Sequence, residues 1–114
     1  MLSLAQNSAL MKYITPLEYK ERQNNNDAVL LDIREPYELD ICTIGGLHIP
    51  MAEVASRASE IDQSKEVIVL CRSGKRAESV ANLLVTDLEF PNVSIFEGGI
   101  LAWIDQVDSS LEAY

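Results

Sequence analysis

The 114-residue sequence predicts an α/β fold, a central parallel sheet of about five strands flanked by helices on both faces. Three observations carry this reading. Apolar runs at residues 28–33, broken only by Asp32, and 67–70 do not alternate with polar residues, as in strands buried on both faces. Segments with helical apolar spacing alternate with such runs, and glycine, proline or asparagine punctuates the changeovers.

Residues 1–10 carry no periodic pattern. They lack a basic start, and Gln6 and Asn7 interrupt their apolar residues, so they make a poor secretory signal and are expected to be disordered. Met11-Lys12-Tyr13-Ile14 reads as a short edge strand. Thr15-Pro16-Leu17-Glu18 is a capping box with proline at the first helical position, so a helix starts there and ends in Asn24-Asn25-Asn26. Residues 28–33 form the second strand, and Pro36 opens a short helix through about Leu39. Gly45-Gly46 turns the chain into a strand over residues 47–50, stopped by Pro50. Ala52, Ala55, Ala58 and Ile61 predict a helix whose small-residue face sits close to the sheet. After the 67–70 strand, Ala77, Val80, Ala81, Leu84, Val85 and Leu88 mark a long helix. Residues 93–96 are the last strand, and Gly98-Gly99 leads into a helix holding Ile100, Leu101, Trp103, Ile104 and Val107. One domain is expected over 11–107, with a tail at 108–114.

A net charge of −9 and a pI near 4.4 exclude nucleic acid and anionic membrane as main partners, which clustered Lys and Arg would meet. No apolar run approaches the roughly 20 residues that span a bilayer. Two cysteines do not make a disulfide scaffold in a chain of this length, and the cytoplasm is the expected location.

Chemistry concentrates at Cys71. It closes an apolar strand just before a helix amino terminus, where open α/β sheets place ligands and orphan N–H groups favour an anion. Arg72, Lys75 and Arg76 lie within five residues of it, and helix termini and cations favour the thiolate form. Ser73 adds a donor and Gly74 permits a tight curl. This is a cationic mouth on an anionic body, suited to a small anionic substrate. Arg76 is the expected main anion contact, because a guanidinium holds two oxygens at once; Arg72 and Lys75 are weaker candidates. Asp32 and Arg34, with Glu38, fall near a strand's carboxyl end as candidate rim residues or as a charge network holding loops. Cys42 reads as core, Trp103 as a packing anchor, and His48 stands alone, so no metal site is expected.

Four stretches now carry a resemblance: Leu31-Asp32-Ile33-Arg34-Glu35-Pro36-Tyr37-Glu38, Ile44-Gly45-Gly46 through Ile49-Pro50, Cys71-Arg72-Ser73-Gly74-Lys75-Arg76, and Phe96-Glu97-Gly98-Gly99-Ile100 through Ala102-Trp103. Over residues 11–107 the chain resembles the single-domain rhodanese-like sulfurtransferases. The resemblance implies the rhodanese-like three-layer fold. It also implies that Cys71 takes sulfur from a small anionic donor such as thiosulfate, carries it as a persulfide with no separate cofactor, and passes it to cyanide, a thiol or a sulfur-carrier protein. Many members have His-Ile-Pro-Gly-Ala where this chain has Thr43-Ile44-Gly45-Gly46-Leu47. That variant is similar to rhodanese domains attached to adenylating enzymes that activate ubiquitin-like sulfur carriers. A cysteine desulfurase is then a candidate donor and a carrier protein a candidate acceptor. Two other readings stay open. One is a non-enzymatic docking module, whose members tend to have lost the cysteine kept here. The other is a phosphatase or arsenate reductase of related shape; the phosphatases set five residues between cysteine and arginine, against the four from Cys71 to Arg76.

Overall fold

The computed structural model describes residues 11–114, so the expectation for residues 1–10 lies outside the described residues. Five strands are present: β1 (Lys12–Ile14), β2 (Ala28–Asp32), β3 (Leu47–His48), β4 (Glu66–Leu70) and β5 (Val93–Phe96). All pair in parallel, in the order β1-β5-β4-β2-β3. The helices are α1 (Pro16–Arg22), α2 (Pro36–Ile41), α3 (Lys75–Asn82) and α4 (Gly99–Gln106).

The continuous apolar runs divide between two cores because successive strand residues point to opposite faces. Along β4, Val67 and Val69 join a cluster with Leu31, Val54, Ile61, Val80, Leu84 and Ile95. Ile68 and Leu70 join Leu30, Phe96, Ile100, Trp103 and Ile104 on the other side. There the Phe96 and Trp103 rings stand 6.2 Å apart, and Tyr19 meets them edge-on at 5.5 and 5.9 Å. Cys42 is buried in this second cluster, and Cys42 and Cys71 are both free thiols.

Local signals hold closely at α1. The Thr15 hydroxyl accepts from Glu18 N–H at 3.1 Å, while the Glu18 carboxylate accepts from Thr15 N–H at 2.8 Å, with Pro16 opening the helix. The 77–88 helix begins two residues early, at Lys75, and its end is a π turn over Leu83–Asp87 closed by Leu88 N–H to the Leu83 carbonyl.

Residues 52–61 do not form the expected helix. They make two separate 3₁₀ turns, Met51–Glu53 and Ala58–Glu60, and Ala52 and Ala55 are exposed while Val54 and Ile61 are buried. The physical reason is area: branched side chains gain more from leaving water than alanines do, so they decide which way the segment turns. Arg57 bridges Glu53 and Glu60 across the two turns.

The strand order reverses between β2 and β4, which pair from Ala28↔Glu66 to Asp32↔Leu70. Their carboxyl ends open the crevice where such sheets bind ligands. Cys71 follows one of these ends and Ile33-Arg34 the other, joined by Ile33 N–H to the Leu70 carbonyl at 3.0 Å.

Candidate active site

The chain after β4 curls through Cys71-Arg72-Ser73-Gly74 into α3. Gly74 has φ +114°, a left-handed conformation that side chains rarely adopt. The loop's outward carbonyls are held by the start of α4: Ile100 N–H donates to Cys71 C=O at 2.9 Å and Leu101 N–H to Arg72 C=O at 3.1 Å. Turning carbonyls toward α4 leaves N–H groups facing inward. Two of them meet the sulfur, with Gly74 N–H at 3.0 Å and Ala77 N–H at 3.4 Å from Cys71 Sγ. Two backbone donors on one sulfur form a cradle for negative charge. Gly99 makes this approach feasible, since a Cβ there would lie 2.3 Å from the Arg72 carbonyl oxygen.

The loop residues predicted from sequence are therefore brought together around Cys71, itself only 1% exposed. Arg72, Ser73 and Lys75 are exposed. Arg76 has a different destination from the one expected. Both its terminal nitrogens sit 2.8 Å from the Glu38 carboxylate oxygens, so the bidentate fork is already occupied. The Glu38 hydrogen bonds keep the Arg76 guanidinium charged above its ordinary range. Arg72 and Lys75 are then the loop cations without a carboxylate partner among the described residues.

Asp32 and Arg34 do not reach the rim. Both are fully buried, as an ion pair with Arg34 Nη2 2.8 Å from Asp32 Oδ2. Arg34 also donates to the Cys42 carbonyl at 3.1 Å and to Tyr114 Oη at 3.0 Å, so it ties the end of β2 to the chain beyond α2. Buried charges persist where every donor finds a partner. His48 Nε2 lies 2.7 Å from the Arg34 carbonyl oxygen.

Glu38 is the hub beneath the loop. Its carboxylate accepts from both Arg76 nitrogens, from Glu35 N–H at 2.8 Å and from the Tyr114 hydroxyl at 2.8 Å. These donors, Arg76 first, hold its carboxyl down at about 2 against the opposing effect of burial. Sequence reading grouped Glu38 with the other carboxylates near β2 and had no means of pairing it with Arg76. It missed Tyr114 altogether, because no spacing relates residue 114 to residues 34, 38 and 72. The segment expected as a tail comes back against the site, and the Arg72 guanidinium lies over the Tyr114 ring, 5.0 Å from its centre.

A second concavity, lined by Lys12, Glu21, Arg22, Glu66 and Ser94 among others, lies at the amino end of β4. Its cations Lys12 and Arg22 both pair with Glu66. Among the described residues no helix is long and apolar enough to cross a membrane.

Residues 15–106 match the family model for the rhodanese-like domain. A sulfurtransferase of Allochromatium vinosum is 35% identical over 81 residues, covering 70% of this chain and 75% of its own. The adenylyltransferase and sulfurtransferase MOCS3 of Drosophila virilis is 31% identical over 109 residues, covering 89% of this chain. The chain spans only 24% of that relative's length. Among solved structures, a rhodanese-related protein of Thermoplasma volcanium superposes with a TM-score of 0.71 at 26% identity, covering 84% of this chain and 93% of its own.

Proposed function

The chain belongs to the family of rhodanese-like domains, and from that premise we propose that it is a sulfurtransferase in which Cys71 carries sulfur as a persulfide. The observation that carries this reading is the Cys71 sulfur cradled by Gly74 and Ala77 N–H groups at the mouth of the sheet. Donors aimed at the sulfur stabilise a thiolate, and they stabilise the terminal sulfur of a persulfide in the same way. The thiolate attacks the outer sulfur of a donor such as thiosulfate. A new S–S bond forms, the donor's own S–S bond breaks, and its electron pair leaves with sulfite. An acceptor nucleophile then attacks the outer sulfur, and the Cys71 thiolate departs with the electron pair of the persulfide bond. No separate cofactor takes part in either step.

Arg72 and Lys75 supply the positive field that draws in the donor anion, and Ser73 and Gly74 shape the mouth. Similarity to a relative named for both adenylyl and sulfur transfer supports a protein-bound acceptor, with a cysteine desulfurase as the corresponding donor. Toward the activated carboxyl terminus of a sulfur carrier the roles reverse: the outer persulfide sulfur attacks the acyl carbon, the activating group leaves with its electron pair, and a thiol then attacks the Cys71 sulfur to free the thiocarboxylate. The four-residue interval between Cys71 and Arg76 disfavours a phosphatase, and the occupied Arg76 fork disfavours it further, since a phosphate would need those donors.

Initial rates measured against thiosulfate and cyanide together should give the parallel double-reciprocal lines of a ping-pong mechanism. Intersecting lines, or Cys71-dependent hydrolysis of an aryl phosphate without sulfite release, would reject the proposal.

A further inference from the structure

Tyr114 touches Arg72 of the cationic loop and reaches Arg76 through Glu38. Its ring lies beneath the Arg72 guanidinium, 5.0 Å from the ring centre. Its hydroxyl accepts from Arg34 Nη1 at 3.0 Å and donates to Glu38 Oε1 at 2.8 Å. Glu38 in turn holds Arg76 by both terminal nitrogens. The hydrogen bonds thus run in one direction, from Arg34 through Tyr114 to Glu38. Burial and the Glu38 carboxylate raise the Tyr114 hydroxyl above its ordinary range, so it stays a donor at neutral pH.

We propose that Tyr114 is a positioning residue for Arg72, seated by its hydroxyl between Arg34 and Glu38 and presenting the Arg72 guanidinium to incoming anions on its ring. A guanidinium stacked on an aromatic face keeps its N–H edge free. Arg72 has no carboxylate partner among the described residues, so its edge is open to an anion approaching Cys71. Arg76 keeps its charge near the sulfur but gives its fork to the fold. Anion selection therefore rests on a residue forty-two positions beyond Arg72 in the chain.

This assignment rests on Cys71 being the reacting sulfur, and it is testable without any sulfur transfer. Alkylation rates at Cys71 are measured with anionic iodoacetate and neutral iodoacetamide at low ionic strength, with the modified peptide identified by mass. Their ratio reports the local field and cancels changes in the sulfur's own reactivity. Arg72→Ala should lower the ratio roughly three- to tenfold. Tyr114→Leu should lower it about as much, and adding it to Arg72→Ala should lower it no further. Tyr114→Phe keeps the ring and should stay within about twofold of the unmodified protein. A Tyr114→Leu ratio equal to that of the unmodified protein would overturn the proposal. So would an equal drop in the Arg72→Ala background. Neither reagent carries sulfane sulfur, so a failure of thiosulfate to load Cys71 would refute the proposed function and leave this result standing.

Discussion

Replacing Cys71 by serine should reduce sulfur transfer from thiosulfate to cyanide by on the order of a thousandfold or more, to the uncatalysed background. The hydroxyl oxygen can accept from Gly74 and Ala77 N–H where the sulfur did at 3.0 and 3.4 Å, so the loop keeps its curl and the variant should unfold cooperatively like the parent. What it lacks is a polarisable sulfur nucleophile that also leaves readily from a persulfide. Cys42→Ser is the matching control. Cys42 is buried in the core, and its carbonyl, not its thiol, holds Arg34. Turnover should therefore survive in Cys42→Ser, and steady-state assays of the two variants, with unfolding curves for each, check both statements. Residual turnover in Cys71→Ser would move the reacting sulfur elsewhere.

Glu38→Gln should destabilise the fold by roughly 2–3 kcal/mol at neutral pH, somewhat less than the free-energy equivalent of holding the carboxyl at about 2 rather than 4.5. The Glu38 side chain is 3% exposed while Arg76 is one-third exposed, so solvent softens the loss on the arginine side. The sign follows from the direction of the shift. A carboxyl depressed in the folded state contributes all of its stabilisation above its unfolded value of 4.5, and loses it as pH falls through about 2. The stability difference between parent and variant should thus be full at pH 7 and shrink through that acid window. Denaturant unfolding at a series of pH values measures it, and a difference that stays constant would mean the Glu38 carboxylate is not the group responsible.

Much of this architecture is legible in the chain because local rules and tertiary demands agree. Apolar runs at β2 and β4 read as strands covered on both sides, and the Thr15 capping box fixes where α1 begins. The position of Cys71 follows from the same logic, as the residue between a buried strand and a helix start. The failures lie where long-range partners decide. Alanine spacing at 52–61 suggested a helix, but Val54 and Ile61 captured the segment as two short turns. Arg76 looked like the anion's arginine because nothing in the sequence brings Glu38 to it across thirty-eight positions. For Asp32 and Arg34 the chain left two readings, rim residues or a charge network holding loops; they satisfy each other at 2.8 Å in the interior, which is the network. Tyr114 had no local pattern at all, and its contacts with Arg34, Glu38 and Arg72 exist only once the sheet has folded.

The mechanism is tested most directly by locating the transferred atom. After incubation with thiosulfate and removal of the excess, peptide mass spectrometry should find one added sulfur on Cys71 and none on Cys42, and cyanide should discharge it. An unloaded Cys71, sulfur found on Cys42, or an adduct that cyanide leaves in place would contradict the mechanism.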